Sequence, residues 1–204
     1  IIEAITHAST HFGVKVDLKL INSEEIVENN LYEKFNNVQG VIVAPGFGER
    51  GIEGKILSVC YSRKNNIPFF GICLGMQLAV IEIAQNVLKI KNAHSSEFKK
   101  TTKSVVGLMT EWVNKNKIEK RDKNSDKGGT MRLGAYKAVL KKNSKIFSIY
   151  KNKVISERHR HRYEVNQKFL SKFENKGYYF SGMSPDGLLP CLLYTSPSPR
   201  DDVI

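Results

Sequence analysis

Hydrophobic and polar positions along the chain fall into alternating strand-like and helix-like stretches. Residues 1–11 pattern as a helix, and Val14 to Ile21 alternate apolar and polar with the period of two that marks a strand. Asn22-Ser23-Glu24-Glu25 then supplies a cap residue and first-turn acids, which signal a helix start. Gly40 to Ala44 (GVIVA) is a continuous apolar strand, Ile52 to Lys64 a helix and Ile67 to Gly71 the next strand. After it Leu78, Ala79, Ile81, Ile83, Ala84 and Val87 recur at near-helical spacing. Such alternation predicts an α/β fold whose central, mostly parallel sheet is flanked by helices and carries its sites at the carboxyl ends of the strands. The second half is more β-like, with candidate strands at Val105 to Thr110, Met131 to Leu140, Val154 to Asn166 and Tyr178 to Gly182. Between the first two, the polar stretch Asn114 to Gly129 reads as a loop or lid.

Composition narrows the class. A chain of 204 residues with 41% hydrophobic content can bury one full core. No run approaches the ~18 apolar residues of a membrane span, and no signal peptide opens the chain, so neither a membrane nor export is expected. Three cysteines without a Cys-x-x-Cys pair fit a reducing, cytoplasmic setting and argue against a disulfide framework or a zinc site. The net charge of +12 prompts a nucleic-acid reading. Its lysines are scattered, as in Lys99-Lys100, Lys141-Lys142 and Lys151/Lys153, with no interleaved aromatics to stack on bases. A solvated basic surface is the reading we adopt, with no nucleic acid as partner.

The densest chemistry lies at Gly71-Ile72-Cys73-Leu74-Gly75-Met76-Gln77, a cysteine between two glycines where an apolar strand hands over to a helix. This is the pattern of a nucleophile elbow, where small flanking residues permit a strained, sharp turn. The start of the helix favours thiolate over thiol, and the N–H of Leu74 becomes half of an oxyanion hole. A lone cysteine is more often a small buried hydrophobe. Two flanking glycines set Cys73 apart from Cys60, which sits in an apolar helical pattern and reads as core. The preceding strand ends in Pro45-Gly46-Phe47-Gly48-Glu49-Arg50-Gly51. No Gly-Lys-Ser/Thr follows, so it is not a phosphate-binding P-loop. A loop facing the nucleophile across adjacent strand ends can instead donate a backbone N–H, which would complete the oxyanion hole with Leu74. Further on, Arg158-His159-Arg160-His161-Arg162 alternates, so arginines and histidines would face opposite sides of a strand. No third ligand accompanies His159 and His161, and no metal site is expected.

The two loops APGFGERG (Ala44 to Gly51) and GICLGMQ (Gly71 to Gln77) resemble the class I (triad) glutamine amidotransferases. AHSSEF from Ala93, GGTMRLG from Gly128 and ERHRHRYEVN from Glu157 are together similar to the glutaminase domain of the CTP synthase family. The resemblance implies the class I glutamine amidotransferase fold and L-glutamine as substrate. Cys73 matches the family nucleophile, which forms a γ-glutamyl thioester, and Gly46 and Leu74 match the oxyanion donors. Gly46, Leu74, Gly75, Met76, Gln77, Glu97 and Arg162 match glutamine-binding positions. That assignment suits the chemistry, since a zwitterion needs a carboxylate for its ammonium and an arginine for its α-carboxylate. It further implies transfer of ammonia to a synthetase domain where ATP and Mg2+ activate UTP, GTP as allosteric activator, and a tetrameric homo-oligomer. Arg121, Gly128 and Gly129 lie in the segment that resembles the GTP-responsive lid. A different amidotransferase or a γ-glutamyl hydrolase would share the elbow but lack GGTMRLG and ERHRHRYEVN.

Two features depart from the family pattern. The family completes its triad with a His-Pro-Glu segment, and His7, His11, His94, His159 and His161 are none of them followed by Pro-Glu. The stretch from Cys191 to Asp201 (CLLYTSPSPRD) resembles the translation of a transposase sequencing adapter, so residues 1–190 are expected to form the glutaminase domain and 191–204 an artefactual tail. With no initiator methionine and no synthetase domain, the expectation is a truncated fragment, incomplete at both ends.

Overall fold

The computed structural model describes residues 1–108 and 132–195, divided between a unit up to Gly75 and a unit from Met76 onward. Arg121, Gly128, Gly129 and the expected lid lie outside the described residues.

The first unit opens with α1 (Ile2–His11), the helix expected there. The Asn22 cap forms as anticipated, its Oδ1 accepting from the Glu24 N–H at 3.1 Å. It opens only a single 3-10 turn, Ser23–Glu25. The β-branched pair Ile26-Val27 follows in extended conformation, where its stiff side chains fit better than in a helical turn. A second 3-10 turn, Glu28–Asn30, leads into the short α2 (Leu31–Phe35). The Val14 to Ile21 alternation does not become a strand. No ladder pairs it among the described residues, and Val14, Val16, Leu18 and Leu20 are all exposed. A period of two fixes which side chains share a face, whereas a strand also needs a partner's backbone.

The βαβ core forms closely as predicted: β1 (Val41–Val43), α3 (Ile52–Lys64) and β2 (Phe69–Gly71). The strands are parallel, with Val41 opposite Phe69 and Val43 opposite Gly71. Ile26, Phe35, Val41 and Val43 form the buried centre, lined by Leu57, Tyr61 and Phe69. The rings of Phe35 and Tyr61 stack at 5.2 Å. The buried hydroxyls of Ser58 and Ser62 donate to the carbonyls four residues earlier, at 2.7 and 2.8 Å, so neither is left unsatisfied. Cys60, expected in the core, is half-buried on α3, with an Arg63 nitrogen 3.9 Å from its sulfur.

The helix α4 (Leu74–Asn86) starts at the end of the first unit and runs into the second. Its buried stretch includes Leu78, Val80, Ile81 and Ala84. Glu82 is fully buried among them and accepts from Asn86 Nδ2 at 3.1 Å. The second unit contains β3 (Ala93–Ser95), β4 (Lys103–Leu108) and β5 (Arg132–Leu140), then α5 (Lys145–Tyr150). β6 (Val154–His161), β7 (Tyr163–Val165), α6 (Leu170–Glu174), β8 (Tyr178–Met183) and β9 (Pro190–Thr195) complete it. Among the described residues, β3 runs parallel to β4, β4 antiparallel to β7, and the sheet ordered β6-β5-β8-β9 is antiparallel throughout. The α/β class therefore stands, while parallel pairing among the described residues is confined to β1–β2 and β3–β4. The expected strand Val154 to Asn166 is divided at Arg162, its halves joining different sheets. β3, β9, α5 and α6 were not anticipated. Three-residue β3 is too short for a period, and α5 owes its start to Ser144, whose hydroxyl accepts from the Phe147 N–H. Ala138, Leu140 and Ile155 pack with Ile146, Phe147, Cys191 and Leu192, and the rings of Phe173 and Phe180 meet edge to face at 5.9 Å.

The way α3 lies against the Ser23–Glu25 turn depends on Gly54, where a Cβ would overlap the Ser23 carbonyl. Gly54→Ala is therefore expected to destabilise by about 1–3 kcal/mol, the usual penalty for overpacking. Gly107→Ala, whose Cβ would make only ordinary contacts, should lose much less. Urea denaturation of the two variants checks the contrast.

Candidate active site

In the first unit the strand-to-helix turn has the strain its sequence announced. β2 ends at Gly71, and Cys73 adopts φ +56°, the left-handed region that costs a non-glycine residue roughly 1–2 kcal/mol. α4 begins at the next residue. Two backbone hydrogen bonds fix the turn: Ile72 N–H to the Val43 carbonyl and Gly75 N–H to the Ile72 carbonyl, both at 3.0 Å. Gly75 passes so near β1 that a Cβ there would overlap the Val43 carbonyl. The first turn of α4 is thereby pressed against the carboxyl end of β1, where the Gly46 loop begins. A Cβ at Gly46 would stand 3.4 Å from the Leu74 side chain and 3.7 Å from Lys55 Nζ. Gly46, Cys73, Leu74 and Gly75 thus share one strand end, and the Cys73 side chain is half-buried there.

Lys55 is a member of this neighbourhood that sequence reasoning missed. Burial pushes its ammonium pKa down. Nothing in the sequence around Lys55 marks it out from a solvated lysine.

The second unit holds Met76, Gln77, Glu97 and Arg162. Gln77 is buried, and its Nε2 donates to the Tyr163 carbonyl at 2.7 Å. Glu97 follows β3, its N–H donating to Ser95 Oγ at 3.1 Å. Arg162 occupies the bend between β6 and β7. The phenol of Tyr163 has its pKa raised first by burial and then by the Glu97 carboxylate, with Arg162 pulling it down. Glu97 and Arg162, 65 residues apart in sequence, are therefore both close enough to act on one side chain.

Behind the bend lies a buried polar cluster. Arg132 Nη1 donates to Glu164 Oε1 at 3.1 Å, with both side chains nearly inaccessible, and His161 Nδ1 stands 3.5 Å from the same oxygen. A second guanidinium nitrogen of Arg132 lies 3.9 Å from Cys191 Sγ, and the guanidinium sits 4.8 Å over the Tyr136 ring. The alternation expected in the basic run is present: His159 is buried, whereas Arg158 and Arg160 are exposed. Burial, with the charges of Arg132 and His161, lowers the His159 pKa to about 4. Among the described residues no group of three His, Cys, Asp or Glu side chains could hold a metal ion, and no helix is long and apolar enough to cross a membrane.

Residues 1–195 match the family model for glutamine amidotransferase class-I. The chain belongs to this family. It is 53% identical over 190 residues to the CTP synthase of Agrobacterium fabrum, and equally so to that of Pelagibacter ubique. These alignments cover 93% and 92% of the chain but only 35% of each relative, so the chain spans about a third of their length. Among solved structures it matches the Trypanosoma brucei CTPS glutaminase domain with bound acivicin, at 34% identity and a TM-score of 0.79, covering 94% of this chain and 71% of that one. The amidotransferase fold inferred from the two glycine loops is thus the fold of the chain.

Two outcomes follow from the buried cluster. Glu164→Ala strands the Arg132 guanidinium in the interior and should cost roughly 3–5 kcal/mol, read by chemical denaturation. His159 has a folded pKa below its unfolded value near 6.5. The unfolded chain thus binds the proton more tightly, and the contribution is fully present above about pH 6.5 and lost as pH falls toward 4. It amounts to at most about 3 kcal/mol. His159→Gln should flatten the fall in stability between pH 7 and 4.5.

Proposed function

We propose that the chain is the glutaminase domain of a CTP synthase, hydrolysing L-glutamine to supply ammonia for amination of UTP to CTP. The observation that carries this reading is the strained Cys73 turn at the head of α4, with the Gly46 loop beside Leu74. The Cys73 thiolate attacks the side-chain amide carbon. A C–S bond forms, and the carbonyl π electrons move onto oxygen, where the backbone N–H groups of Gly46 and Leu74 stabilise the charge. Collapse breaks the C–N bond, and the leaving nitrogen takes up the proton that the thiol gave up on ionising, departing as ammonia. Water then cleaves the γ-glutamyl thioester to glutamate and restores the thiol.

Glu97 holds the substrate ammonium and Arg162 its α-carboxylate, and Gly75, Met76 and Gln77 are further glutamine-binding positions. That both charges act on the Tyr163 phenol supports this role. Ammonia passes to a synthetase domain that binds ATP and Mg2+, and the segment with Arg121, Gly128 and Gly129 answers to GTP. These functions belong to a cytoplasmic, tetrameric enzyme. We propose residues 1–190 as the glutaminase domain: the residues given a catalytic or binding role lie within it, while β9 runs on to Thr195.

A polypeptide of these 204 residues contains no His-Pro-Glu segment. General acid–base help is worth roughly 10²–10⁴ in rate, and losing one member of a cooperating triad can cost nearly as much as losing all of it. Ammonia release from glutamine by this polypeptide should therefore be far slower than by a version extended with a family His-Pro-Glu segment. Cys73→Ser should abolish both that release and labelling by a thiol-reactive glutamine analogue. Equal rates with and without the extension would show that a histidine already present serves as base. Undiminished release by Cys73→Ser would overturn the nucleophile assignment.

A further inference from the structure

We infer that Arg132 and Glu164 are positioning residues for glutamine recognition: their ion pair fixes the bend that presents Arg162 to the substrate α-carboxylate. The inference rests on the reading of Arg162 given above, and it names residues that touch no substrate.

The geometry is a closed triangle. Arg132 is the first described residue of β5 and pairs in register with His161, the last residue of β6. Two residues past the Arg162 bend from there, Glu164 stands on β7, paired with Gly107 of β4 in a different sheet. The Arg132 side chain closes the figure by donating to Glu164 Oε1 at 3.1 Å. The residue before the bend is therefore held by Arg132 through its backbone ladder, and the second residue after it by the guanidinium. The middle of the corner is fixed from another direction, since Gln77 Nε2 donates to the Tyr163 carbonyl at 2.7 Å. His161 adds a nitrogen 3.5 Å from the carboxylate oxygen that Arg132 uses.

Burial decides why this tie is ionic. With both side chains almost fully inaccessible, a hydrophobic pair of similar volume would stabilise as well or better. What apolar side chains lack is direction. A guanidinium–carboxylate bond defines an angle as well as a distance, and a 1 Å error in a binding arginine is costly. The tie spans two sheets that share only the bend as chain connection between β6 and β7, so its rigidity is delivered where Arg162 sits.

The test uses the full-length enzyme carrying this sequence, with glutaminase turnover read as ammonia release. It compares glutamine with 4-aminobutanamide, which keeps the amide and amine and lacks the α-carboxylate. If Arg162 is merely mispositioned, carboxylate binding weakens in ground state and transition state alike, which raises KM and leaves kcat. Glu164→Gln should raise KM for glutamine at least 10-fold with kcat within about twofold. Its kcat/KM for 4-aminobutanamide should match that of the parent. The double variant Arg132→Met/Glu164→Leu restores packing without direction. It should fold as stably as the parent, by thermal denaturation, yet keep the raised KM. A double variant with parental KM for glutamine would overturn the inference, leaving the pair a purely structural role. Equal loss on both substrates would overturn it as well. Arg162→Ala is the control for the underlying reading: if it leaves KM for glutamine unchanged, the carboxylate role of Arg162 itself fails.

Discussion

The first unit depends on one close approach, that of the Gly75 backbone to the Val43 carbonyl at the end of β1. Because no side chain intervenes, the start of α4 can lie against the strand end where the Gly46 loop begins. The Ile72 N–H reaches the same Val43 carbonyl, so a single acceptor organises both the exit from β2 and the entry into α4. The left-handed backbone at Cys73 is the local cost of so abrupt a reversal. It persists because two hydrogen bonds and the packing of Leu74, which is almost wholly buried, leave the chain no other path.

The second unit meets a different constraint. A carboxylate that follows β3 and an arginine at the β6–β7 bend both act on the Tyr163 phenol at one corner, though the two belong to segments far apart in sequence. An ion pair behind the bend and an amide in front of it make that corner stiff. The lowered pKa of His159 has a part in this. Neutral near pH 7, it places no further positive charge beside Arg132, whose attraction for Glu164 is then undiluted.

Legibility in the sequence followed the range of the signal. The βαβ core, α4 and the elbow were readable because periodicity and flanking glycines are local, and Cys73, Gly46 and Leu74 came with them. Glu97 and Arg162 were legible only through resemblance, since nothing near either residue announces the other. The division of Val154 to Asn166 at Arg162 was not readable, for the unbroken alternation of arginine and histidine from Arg158 to Arg162 does not say which sheet each half will join. Val14 to Ile21 shows the converse: the pattern of a strand was present and the ladder was not. Arg132, Glu164 and Lys55 escaped because a charged residue in a strand or helix looks solvated until its burial is known.

That unpaired segment has a consequence for handling the polypeptide. Val14, Val16, Leu18 and Leu20 present apolar side chains to solvent, a pattern to which an extended chain of another molecule can add by edge pairing. Lys15, Asp17 and Lys19 interrupt the apolar positions with charge, and charges at such positions act as gatekeepers against self-association. Their protection is electrostatic at long range and therefore weakens as salt is raised. Colloidal behaviour in this region is consequently governed by ionic strength, through the three polar residues that alternate with the apolar ones.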